Sequence, residues 1–233
     1  MGLDIEHRAS DSPFIGRVWR SRSHDVDRMT SIATSRWNLV FWEQSDQVNV
    51  AVRGPESRAS AAPVPEDAAF LGIGFSLGTT MPHLPINRLV NGFVEFPDVT
   101  RGSFWLKGSA WHLPDYDNAE EFVRRLVRED VLVRDPIVAA VSGGGSPKVS
   151  ERTVQRRFVS MTGLTRGAVR QIERARHAAI LVQNGVPVPE VVHRLGYFDQ
   201  PHLARSLNRY VGRTATCLRD HAHGEPLSVL YKT

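Results

Sequence analysis

The chain has one cysteine, Cys217, in 233 residues. That excludes a disulfide framework and any cysteine-rich zinc site. A small buried filler is the expected role of Cys217, since a thiol packs as a small hydrophobe. No apolar run approaches the roughly 18 residues of a membrane-crossing helix. The first 12 residues are polar, with both charge signs, and lack the apolar stretch of a secretory signal. A reducing cytoplasm and no membrane contact are therefore expected. Fingerprints of nucleotide and acyl-transfer chemistry are also missing: there is no Gly-x-Ser-x-Gly and no P-loop. Gly72-x-Gly74 lacks the third glycine of a dinucleotide site. Of the N-terminal candidates His24, His83 and His112, none has a tight His-x-His spacing on a strand, so neither a catalytic residue nor a metal or other cofactor is expected.

Charge is unevenly shared. The net value is +4, with 29 Lys and Arg against 25 Asp and Glu. From Pro147 onward there are 14 basic against 6 acidic residues, a surplus of +8; the preceding part has 15 against 19, or −4. A basic tail beside an acidic partner is the footprint of a polyanion-binding module with a separate regulatory half. Nearly all the basic residues are arginine, which favours bidentate recognition of phosphates and bases.

Residues 149–220 organise this tail. Ser150 is a good N-cap. Behind it Val154, Phe158 and Met161 recur on one helical face, while Arg152, Gln155, Arg156 and Val159 fall on the opposite one. Gly163 ends that helix. A long helix follows over 165–184, with Val169, Ile172, Ala175, Ala179 and Val182 as its inward stripe, and Asn184-Gly185 stops it. A short helix over 190–195 then leads through Gly196 to a last helix capped by Asp199. Leu203, Leu207 and Tyr210 form its apolar face, Gln200, Pro201, Arg205 and Asn208 point away, and Gly212 stops it. Helix, glycine turn and helix is the grammar of the helix-turn-helix. In that unit the second helix enters the major groove, where Arg reads guanine and Gln reads adenine bidentately.

The stretch resembles the DNA-binding domain of the AraC/XylS family of transcription regulators. The resemblance rests on Arg152-Thr153-Val154-Gln155-Arg156-Arg157-Phe158, Thr162-Gly163-Leu164, Arg174-Ala175-Arg176, and the run from Gly196 to Arg205. It implies groove contacts from Arg152, Gln155 and Arg156 in a first unit, and from Gln200, His202 and Arg205 in a second. Gln200 can equally be a capping residue, and His202 a phosphate contact or merely exposed. Arg157, Arg174, Arg176 and Arg209 read as phosphate contacts or intramolecular pairs. Three departures stand out, one of them Leu207 in place of the family's usual Phe. The scaffold helix that precedes the first reading helix is expected at 136–141, separated from it by Gly143-Gly144-Gly145 and so by a long turn. Thr214 is followed by Ala215 rather than the family's Pro.

The N-terminal half has the texture of short strands. Residues 14–19, 37–42, 48–52 and 70–75 read as strands, with a Ser45-Asp46 turn making a hairpin of the middle pair. Residues 59–65 read as a loop or edge strand, and Gly72 and Gly74 mark a bulge or a close approach. The fold class expected is α+β in two domains: residues 1–114 a small β-barrel or cupin-like domain for effector sensing or dimerisation, residues 115–233 an all-α double helix-turn-helix domain, with a helix over 118–130 as its first helix or the linker to it. The cupin-type assignment is implied by the family resemblance alone. Trp37, Phe41, Trp42, Phe75, Trp105 and Trp111 are the candidate lining of an effector pocket; the alternative is that they fill the barrel.

The function expected is a sequence-specific DNA-binding transcription regulator controlled by a small molecule in the N-terminal domain. Expected partners are double-stranded DNA, with RNA polymerase, a small-molecule effector and a second copy of the chain as further candidates. The rival from another class is a metal-dependent or ligand-converting cupin-type enzyme with a helical targeting module, drawing ligands from His24, His83, His112, Glu43 and Glu95. A third option is a non-specific DNA-binding protein.

Overall fold

The strands predicted between residues 37 and 75 form the middle of one sheet. The computed structural model describes residues 2–220 and 225–228. In chain order the first strands are β1 (Gly2–Arg8), β2 (Ile15–His24), β3 (Arg28–Ser31), β4 (Asn38–Gln44), β5 (Gln47–Arg53), β6 (Ser60–Pro63) and β7 (Ala69–Phe75). After β8 (Thr79–Thr80) and a 3₁₀ turn (Ile86–Leu89) come β9 (Phe93–Glu95), β10 (Ser103–Leu106) and β11 (Ser109–His112). The β4–β5 hairpin turns on Ser45 and Asp46, both at positive φ (50° and 64°), the twist that a two-residue hairpin loop requires.

The main sheet has the order β1-β2-β7-β4-β5-β9, and β3 pairs separately with β6. Its outer strands β1 and β9 do not pair with each other, so this is an open sheet rather than the closed barrel expected. β1 escaped prediction because only Leu3 and Ile5 carry its alternation.

One face of the sheet holds the first core. Leu39, Phe41, Val50, Val52, Ile73 and Phe75 point into it and are almost fully buried. The core is closed by the β10–β11 hairpin and by helix α1 (Ala119–Arg128), which contributes Phe122, Val123 and Leu126. Arg8 on β1 holds this helix, donating to both carboxylate oxygens of Glu120 at 2.6 and 2.8 Å. β12 (Val133–Arg134) then pairs with β8. The boundary expected after residue 114 therefore runs through this core, which extends to Val131 and Leu132. The amphipathic helix over 118–130 reads as helical from sequence, but its apolar face belongs to the sheet.

The remaining helices are α2 (Pro136–Ser142), α3 (Glu151–Thr162), α4 (Arg166–Gln183), α5 (Val188–Arg194), α6 (Gln200–Val211) and α7 (Ala215–Arg219). They bury two clusters. One joins α2, α3 and the first half of α4 through Val138, Val154, Phe158, Val169 and Ile172. The other joins the second half of α4 to α5, α6 and α7 through Ala179, Val191, Leu203, Leu207 and Leu218. Cys217, in α7, is half-exposed rather than buried.

Candidate nucleic-acid interface

Each reading helix is set by its caps. Ser150 accepts the backbone N–H of Thr153, and Gly163 closes α3 at φ 71°. Asp199 accepts the backbone N–H of His202, and Gly212 closes α6 at φ 73°. An unsatisfied first turn costs about 1 kcal/mol, so these residues place the helix starts. The scaffold helix of the first unit is present as α2. Pro136 opens it, and Asp135 caps it by accepting from Ile137 and Val138. The glycine run lies in the connection to α3, and α2 still packs on α3 through the shared cluster.

Arg152, Gln155 and Arg156 are exposed on α3, as are Gln200 and Arg205 on α6. Among the described residues no intramolecular hydrogen bond or ion pair engages these five side chains. His202 is different. It is half-buried, its Nδ1 accepts the N–H of Phe198 at 3.3 Å, and its ring meets Tyr197 edge-on.

The arginines left open between phosphate and internal roles separate. Arg157 pairs with the buried Asp135 at 3.5 Å. Arg174 lies over the Tyr197 ring and donates to Gly196 and Gln171, tying α4 to the turn before α6. The Tyr197 hydroxyl is pushed up by burial, with opposing help from Ser206 and Arg174. Arg176 is buried, and its Nη1 donates to the Ala33 carbonyl at 2.8 Å. Arg209 remains exposed beside Tyr210. Phe198, within the run that carries the family resemblance, is 91% exposed in the turn before α6.

The six aromatics expected to line a pocket do not converge. Trp37 stacks on Phe75 at 4.0 Å, and these two, with Phe41 and Trp111, fill the first core. Trp105 is 53% exposed on β10. Trp42, on the opposite face of the sheet from Phe41, lines a cavity of about 280 Å³ with Trp19 and Phe70. Strand alternation sends neighbours to opposite faces, so an aromatic run such as 41–42 cannot line one site. The candidate metal ligands do not converge either: among the described residues no three His, Cys, Asp or Glu side chains gather into a metal-holding group. His24 faces Asp4 and Asp67 at 4.0 and 3.9 Å, and Glu95 lines the cavity.

Residues 148–221 match the family model of a helix-turn-helix domain. The match begins after α2 and covers α3 to α7. No curated protein matches the chain. Among solved structures the chain is similar to ToxT from Vibrio cholerae, with 8% identity and a TM-score of 0.34, over 93% of this chain and 97% of that one.

Proposed function

From the premise that residues 148–221 are an AraC-type helix-turn-helix domain, we propose that the protein is a sequence-specific DNA-binding transcription regulator, controlled by a small molecule held in its N-terminal unit. The observation that carries this reading is a pair of capped helices, α3 and α6, packed on the two halves of α4. Each presents exposed Arg and Gln side chains with no partner of their own among the described residues. Such side chains can bond guanine and adenine edges bidentately. The 18 residues of α4 make it about 27 Å long. That is near the roughly 34 Å repeat of B-DNA, so the two helices suit successive major-groove segments. Arg152, Gln155 and Arg156 read one segment, and Gln200 and Arg205 the other. His202, engaged with the Phe198 backbone, positions the start of α6 and reaches a phosphate at most. We place the junction between the sheet unit and the DNA-binding unit at Asp135.

The test is selection of bound fragments from a random duplex library at one stated salt concentration. Two conserved blocks about one helical turn apart are expected. A single block would remove the first unit as a reader, and recovery of no motif would overturn sequence-specific binding.

A further inference from the structure

The main sheet has a second face, and the first core does not cover it. Trp19, Trp42 and Phe70 stand on it. The Trp19 indole occupies the space over Gly72, a close approach that any side chain at 72 would block. Leu3, Ile5 and Val40 complete the apolar wall. The antiparallel pair of β3 and β6 closes the space from one side, and Arg176 of α4 reaches it from the DNA-binding unit.

Charge decides what such a space accepts. The ionisable groups described along its lining are Arg53, Arg176, Glu56 and Glu95, two of each sign. Glu56 already accepts from Ser31 Oγ at 2.7 Å and faces Arg53 at 4.0 Å. Arg176 already donates to a backbone carbonyl. Among the described lining residues no unbalanced charge calls for a charged guest, and four aromatic side chains, Phe93 with the three above, offer apolar surface.

The wall of the cavity is also a strap between the two helical clusters. Ser31, Ile32 and Thr34 line the cavity. Ile32 is at the same time a buried member of the cluster formed by α4, α5, α6 and α7. Its neighbour Ala33 is a buried member of the other cluster, formed by α2, α3 and α4. The Ala33 N–H donates to the Tyr210 carbonyl at 2.8 Å, and Ser35 Oγ donates to Glu173 at 2.5 Å. Two adjacent residues of the sheet unit thus sit in two different helix-turn-helix cores.

Resting on the ligand-control reading above, we propose that the cavity takes an uncharged, ring-bearing small molecule, and that its occupancy is read through residues 31–35, which hold the two DNA-reading units in one relative orientation. A guest shares Ile32 with one helical core and sits one residue from the other. It can therefore favour one arrangement only by the difference in its contacts between arrangements.

The test uses the full chain and N-phenylnaphthylamine, an uncharged fluorescent ring compound, with dodecanoate and dodecylammonium as charged competitors. One probe per chain is expected. Binding should be weakened at least about tenfold by Ala51→Phe, which puts a ring into the cavity, or by Trp42→Ala, which removes part of its wall, should the first variant not fold. The probe should also shift affinity for the selected duplex by at least about fivefold. Ser35→Ala should keep probe affinity and give a smaller shift. Equal probe binding by the wild type and both cavity variants would overturn the site. Displacement by either charged competitor at lower concentration than an uncharged ring compound would overturn the ligand class. An unchanged duplex affinity, or the same shift in Ser35→Ala, would overturn the strap. Probe binding is read without DNA, so a chain that binds probe but selects no motif sinks the regulator reading alone.

Discussion

Arg156 and Arg157 are adjacent in sequence, yet they do different work. Arg157 turns back to Asp135, while Arg156 is exposed and unengaged among the described residues. Under the proposed function, Arg156→Ala weakens binding to the selected site by about 1–3 kcal/mol and relaxes one base position. Uniform weakening on every sequence, in a competition assay, would make it a phosphate contact instead. At the sheet end, the Arg8 guanidinium holds the Glu120 carboxyl at about 2, well below its ordinary 4.5. A depressed carboxyl stabilises the fold fully above 4.5, and that contribution is lost as pH falls toward 2. Glu120→Gln should therefore flatten the acid limb of a stability–pH curve measured by denaturant unfolding. An unaltered limb would mean the pair, whose side chains are 30% and 26% exposed, is screened by solvent.

Among the elements, the ends of the helices are where glycine matters, and they are not equivalent. Gly163 and Gly196 both lie in the left-handed region, at φ 71° and 64°. A methyl at Gly196 meets nothing within 4 Å, whereas one at Gly163 falls on Val90 and comes within 2.9 Å of the Asn87 carbonyl. Gly196→Ala should cost only the backbone penalty of about 1–2 kcal/mol. Gly163→Ala should cost more, because α3 would have to lift from the 3₁₀ turn of the sheet unit. Denaturation midpoints of the two variants compare them directly, and equal losses would show that α3 does not press on that turn. The position of Gly163 as a helix stop was readable from its place after Thr162. Its contact with residues 87–90 was not, because nothing local links positions more than seventy apart.

At the scale of the whole molecule, the charge asymmetry predicts how binding responds to salt. The segment from Pro147 carries a surplus of +8. Neutralising about six phosphates would lower affinity for the selected duplex about a thousandfold between roughly 50 and 200 mM salt, through counterion release. Titrations at several salt concentrations give the slope directly, and a flat response would count against a duplex-binding role. The same scale holds the strap of residues 31–35. It joins the acidic sheet unit to both helical cores.

Local chemistry alone determined α3, α4 and α6 and, to within a residue, their limits, whereas α5 starts two residues before the expected 190 and α7 was not read from the sequence. Ser150, Asp199, Gly163 and Gly212 act within one turn of where they stand, so their meaning does not depend on the rest of the chain. The exposed faces of α3 and α6 were readable for the same reason, since a 3.6-residue period sorts side chains without knowing their neighbours. What only the tertiary structure decided is which surfaces meet. Alternation along a strand divides side chains between two faces but does not say which face becomes core. Phe41 and Phe75 therefore fill the first core, while Trp42 faces the cavity. The apolar face of α1 says that it packs, and only the fold puts it on the sheet. Whether Arg157, Arg174 or Arg176 meets phosphate or protein also depends on partners brought from elsewhere in the chain, Ala33 among them.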